Sequence, residues 1–278
     1  MQRARGRSRV DNTGEHVSDW LHNLPVPWMA LVIFGFTYAV AAVIYALVAA
    51  LAVGERARSF KAVSPGMLPP LGIVFGLFVA FTAAQVWSDN DQANAAVSRE
   101  ASALRSVVLL AASFPRDAET RLLGLVRRYI EESASQDWPA MARQSADLRM
   151  TPPTLNEALQ LTLTLKPDSP GGTTAQRAMA SELQNALDAR RQRILVSRSE
   201  VNAVKWSCLY LEAICALLAI AAVHCDNRLA SAISMGLFAT GVAASVLLIA
   251  AHDRPFTGQL SVSPEPLLQV MPEAAKSG

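Results

Sequence analysis

LPPLGIVFGLFVAFTAAQVWSDNDQANAAVSREASALRSVVLLAASF occupies residues 68–114, and its reading decides the fold. Residues 68–87 carry no charged side chain. At 1.5 Å of rise per residue, about 20 apolar residues cross a hydrocarbon layer of roughly 30 Å. Charges then enter, but the apolar pattern continues. Val97, Ala101, Leu104, Val108 and Ala111 recur at spacings of three and four, which places them on one helix face. No glycine or proline lies between Val86 and Ser113. The stretch predicts one helix that leaves the membrane and continues into a cytoplasmic helical domain.

Three more stretches are long and apolar enough to span: 28–53, 204–223 and 229–251. The first is too long for a signal peptide, starts too far into the chain, and is followed by further spans. Of the 278 residues 51% are hydrophobic and 17% charged, where a soluble domain has about a quarter charged. That excludes an ordinary soluble domain and a disordered chain. Lysine plus arginine number 25 and aspartate plus glutamate 23, so nothing in the charge balance favours nucleic acid. Cys208, Cys215 and Cys225 sit in or beside one apolar stretch and imply no disulfide framework.

The expected fold is all-α: a polytopic membrane protein with four transmembrane helices and a helical cytoplasmic domain. Its parts are a basic tail (1–27), spans one and two (28–87), the cytoplasmic domain (88–203), spans three and four (204–251), and an extended C-terminal segment (252–278). Basic residues near the span ends set the orientation. Arg3, Arg5, Arg7, Arg9, Arg99, Arg105, Arg190, Arg191, Arg193, Arg198, Lys205 and Arg254 fall on one side. Arg56, Arg58, Lys61 and Arg228 fall on the other. Both termini and the large domain are therefore expected in the cytoplasm. Trp28, Trp87 and Trp206 lie at the same ends, where indole rings favour the headgroup layer.

Within the domain, Pro115 suits the first turn of a helix that buries Leu122, Leu125, Val126, Tyr129 and Ile130. Trp138-Pro139 is expected to break it. A short helix follows near 155–165, then a loop over 166–172 (KPDSPGG) and a long helix from about Thr174.

Enzyme signatures are missing: there is no P-loop, G-x-S-x-G, H-E-x-x-H or C-x-x-C. No catalytic residue, cofactor or metal site is expected, and His16, His22, His224 and His252 lie at span ends or in the tail. Glu212 stands near the middle of the third span, where an ionised group costs several kcal/mol. It reads either as a proton or ion site or as a protonated carboxyl bonded to a neighbour such as Tyr210. Ile73, Leu77 and Phe81 stand at i, i+4, i+8 on the second span. Several copies around an axis would stack them into apolar rings, which gate ions by dewetting. A lipid-facing stripe has the same spacing. Gly72 and Gly76 form G-x-x-x-G, which permits close helix contact. After the last span, Asp253, Arg254, Pro255 and Phe256 read as a helix stop with a headgroup anchor. They also suit the start of a strap docked on the cytoplasmic helices.

Four blocks, 78–107, 127–143, 190–200 and 253–267, occur in the order of the bacterial bestrophin-like family of unknown function, which this chain resembles. That family is a remote relative of bestrophins, pentameric anion channels with four membrane helices per subunit. The resemblance implies a bestrophin-like fold in the bacterial plasma (inner) membrane and a homo-oligomer, with a pentamer favoured. It implies small inorganic anions as the permeant species and a pore neck of Ile73, Leu77 and Phe81. Pro255-Phe256 resembles the family's element past the last span. Thr82 stands where bacterial bestrophins carry arginine, and no acidic cluster follows Phe256 to hold calcium. Since the neck region carries no cation, anion preference is expected from hydroxyls and amides at a vestibule, namely Thr82 and Gln85. Two other functions fit: a non-conducting scaffold or sensor with a helical interaction domain, and a proton-coupled transporter using Glu212.

Overall fold

The computed structural model describes residues 20, 24–53, 60, 65–148, 152–166 and 169–273. The arginines of the N-terminal tail and Arg56, Arg58 and Lys61 of the first short loop lie outside the described residues. The principal helices are α1 (Val26–Leu51), α2 (Leu68–Ala111), α3 (Arg116–Glu132), α4 (Trp138–Ala142), α5 (Pro153–Thr164), α6 (Pro170–Val196), α7 (Ala203–Val223), α8 (Arg228–His252) and α9 (Glu265–Leu268). There is no strand among the described residues. Among the described residues four helices are long and apolar enough to cross a membrane: α1, α2, α7 and α8.

The chain forms two compact units, and their boundary falls inside α2. One comprises Met1–Trp87 and Glu200–Asp253; the other comprises Ser88–Ser199 and Arg254–Gly278.

The first unit holds the four spans. Its core joins Met29 and Ile33 of α1, Phe75, Ala83 and Val86 of α2, Leu209 and Ala213 of α7, and Val242, Ala243 and Val246 of α8. A second cluster joins Ala41 and Ile44 to Leu217, Ala221, Met235 and Ala239. Alanines at these contacts let the backbones approach closely, which is how helices associate in lipid. Three hydroxyls in the spans turn onto their own helix. Thr37 donates to the Ile33 carbonyl, Thr240 to Gly236 (each 2.8 Å) and Ser245 to Gly241 (2.9 Å). Each bond satisfies a polar group that lipid cannot.

The second unit is a helical bundle. Ala93, Val97, Ala101, Leu104 and Ala111 of α2 face Leu122, Leu125, Val126, Tyr129 and Ile130 of α3, all buried. Each large apolar side chain so enclosed contributes about 1.5–3 kcal/mol. Two local expectations fail. The helix is not broken at Trp138-Pro139. It widens into a π-helical turn, Ser133–Asp137, and continues as α4. The Trp138 N–H bonds back to the Ser133 carbonyl. Pro139 has no N–H, and its ring would crowd the carbonyl four residues back; the wide turn removes that conflict. Nor does the loop extend to Gly172. Helix α6 starts at Pro170, because the Ser169 hydroxyl caps it by accepting the Gly172 N–H at 3.1 Å. Proline at the first helical position costs no hydrogen bond, so the sequence Ser-Pro reads better as cap and start than as loop.

Candidate functional site

Ile73, Leu77 and Phe81 all lie on the open side of α2, with 62%, 52% and 73% of their surface exposed. The other side of the same helix is packed: Phe75, Ala83 and Val86 are buried. The three apolar side chains thus project away from the core of the first unit. Gly72 and Gly76 are also open, since nothing lies within 4 Å of where a Cβ would stand.

The two residues expected at a vestibule part company. Thr82 is buried, and its hydroxyl donates to the Phe78 carbonyl at 2.8 Å. One residue beyond Phe81, it is rotated by about 100° around the helix. It therefore lies off the open row. Gln85 sits one turn beyond Phe81 and continues the row. Its Oε1 accepts a hydrogen bond from Lys205 Nζ, which reaches over from the first turn of α7. The sequence expectation of a row without a cation thus needs amending, because an ammonium group meets Gln85. No local pattern announces this pairing, since the two residues are 120 positions apart.

Glu212 is partly buried in α7. Its Oε2 is enclosed and has no hydrogen-bond partner. Tyr210, proposed from sequence as its partner, instead stacks on Trp206 at 6.0 Å between ring centroids and meets Phe36 edge-on at 6.4 Å. The C-terminal element is divided between the two units. Asp253 is buried in the first and accepts the Val201 N–H at 2.7 Å. Arg254, Pro255 and Phe256 belong to the second. There the Pro255 carbonyl accepts the Val262 N–H at 2.8 Å, and Phe256 packs edge-on against Trp138 at 6.0 Å.

Sequence reasoning missed a buried ionic network in the second unit. Arg193 is fully enclosed. Its Nε donates to Glu100 Oε2 at 2.7 Å and its Nη2 to Glu100 Oε1 at 3.0 Å. Nη2 also reaches Ser133 Oγ at 2.9 Å, and the guanidinium lies 4.2 Å over the Trp138 ring. Arg190 grips both oxygens of Asp137, at 2.8 and 2.9 Å. The Tyr129 hydroxyl completes the set by donating to Glu100 Oε1. Burial works against the charge of Arg193, but Glu100, then Tyr129 and Asp137, outweigh it and raise its pKa above the ordinary arginine value. By sequence both arginines count only among the basic residues that set orientation. A signal was present: Met179, Leu183, Ala186, Arg190 and Arg193 share one face of α6 at spacings of four and three.

His16 and His22 lie outside the described residues. His224 and His252 each place Nδ1 3.0 Å from a carbonyl of their own helix, and no metal-binding cluster occurs among the described residues.

The family profile described as Bestrophin-like domain matches residues 35–267. Among solved structures, a bacterial bestrophin homologue from Klebsiella pneumoniae carrying a point substitution is similar at a TM-score of 0.63 and 11% identity, over 88% of this chain and 99% of that one. A second Klebsiella pneumoniae variant gives 0.60 and 13%, over 87% and 98%. A crystal structure described as a membrane protein gives 0.64 and 14%, over 88% and 99%. At these identities the likeness shows a shared fold. Among curated proteins none matches the chain.

Proposed function

The chain belongs to the Bestrophin-like family, and from that premise we propose that it is a homo-oligomeric membrane ion channel for small inorganic anions. The neck is formed by Ile73, Leu77 and Phe81 of α2, repeated around a central axis in the bacterial inner membrane. One observation carries this reading: these three residues form an apolar row left open on a helix whose opposite face is packed. A row of large apolar groups around a narrow path opposes a continuous water column until the path widens. Both termini and the second unit lie on the cytoplasmic side, as the distribution of arginine and lysine supports.

Ion flux in proteoliposomes tests the proposal. Wild-type vesicles should pass chloride faster than empty ones. Phe81→Ala, which removes the most exposed ring of the row, should raise the flux further. If neither protein makes vesicles leakier than lipid alone, the channel reading falls and the scaffold reading takes its place.

A further inference from the structure

Lys205 is placed where helix stability alone would not put it. It is the third residue of α7, after the Asn202 cap, whose Oδ1 accepts the Lys205 N–H at 3.0 Å. A cation in a first turn is opposed by the positive end of the helix dipole. No carboxylate among the described residues forms an ion pair with it. Its ammonium instead meets Gln85, on the row begun by Ile73, Leu77 and Phe81.

Chemistry fixes the sense of that contact. A lysine ammonium has only donors, so Gln85 must turn its carbonyl oxygen toward it. The amide then keeps its Nε2 hydrogens for another acceptor. A positive charge and a pair of N–H donors therefore stand together one turn past the neck, and both suit an anion.

We propose that Lys205 selects the permeant charge: held at Gln85, its ammonium stabilises an anion at the cytoplasmic mouth of the neck. This rests on the channel reading and adds to it the group that sets ion preference. In a narrow path bounded by protein and lipid, a fixed charge is poorly screened, and one ammonium per copy gives a ring of them. Without it, the mouth of the neck loses its fixed positive charge, so the preference for anions should fall.

The experiment is a reversal-potential measurement on full-length protein in bilayers under a potassium chloride gradient. Wild type should prefer chloride. Lys205→Gln should lower the chloride-to-potassium permeability ratio by about tenfold, while Lys205→Arg, which keeps the charge, should hold it near wild type. Equal elution volumes in detergent would show that all three fold and assemble alike. A conducting Lys205→Gln protein with an unchanged ratio overturns the inference and leaves the channel standing. So does a Lys205→Arg protein that loses preference as fully as Lys205→Gln. If wild type and Phe81→Ala are both silent, the channel reading and this inference fall together.

Discussion

At the scale of single residues, the second unit turns on Arg193, a charge with no exposed surface. An ion pair out of water is tolerable only when every donor and acceptor is engaged, and removal of one partner typically costs about 3–5 kcal/mol. Glu100, Ser133, Asp137 and the Trp138 face supply that engagement. Tyr129 gives the network a pH signature. Burial, then the neighbouring Glu100, raise its hydroxyl pKa well above the ordinary tyrosine range. The unfolded chain releases that proton near pH 10. The protonated phenol therefore contributes stability that is fully present below about pH 10 and is lost as pH rises through the folded value. The Tm of detergent-purified protein should fall above about pH 10, and Tyr129→Phe should flatten that fall. Parallel profiles for the two proteins would remove Tyr129 from the account. Residue types in the sequence could place Arg193 on an apolar stripe, but its partner is 93 positions away, and no spacing rule reaches that far.

Among elements, proline marks a helix boundary at Pro115 and none at Pro139. Pro115 precedes α3, which begins at Arg116. Pro139 sits inside a continuing helix because the π-helical turn before it accommodates the ring. That turn also positions Trp138, whose Nε1 donates to the Val262 carbonyl at 3.0 Å while Phe256 packs on the ring. Thr257 adds a bond from its hydroxyl to the Ala142 carbonyl at 2.9 Å. The segment after Pro255 is held by these contacts, with Val262 and Leu267 buried in the same core. Phe256→Ala should cost about 3–5 kcal/mol, the usual range for emptying a buried phenylalanine site. Limited proteolysis should then cut within residues 256–273 faster than in wild type. An unchanged cleavage pattern with unchanged Tm would mean the ring is dispensable.

For the whole molecule, the proposed neck requires several copies of the chain around the open row on α2. Phe81 is the most exposed of the row's three side chains, and a lone protomer offers nothing across from it. Native mass measurement of the detergent complex should give a closed ring of several copies, five by family resemblance; a monomer would leave the row facing lipid and remove the axis. What the sequence determined by itself is local. Runs of about 20 apolar residues must be helices in lipid, because no other isolated segment satisfies its own backbone there. The i, i+4 register of Ile73, Leu77, Phe81 and Gln85 then follows from helix geometry alone. Tertiary structure decided which face of α2 is packed, that Thr82 turns inward to the Phe78 carbonyl, and that Lys205 reaches Gln85. Those outcomes depend on how separate helices rotate against each other, which short-range periodicity leaves free.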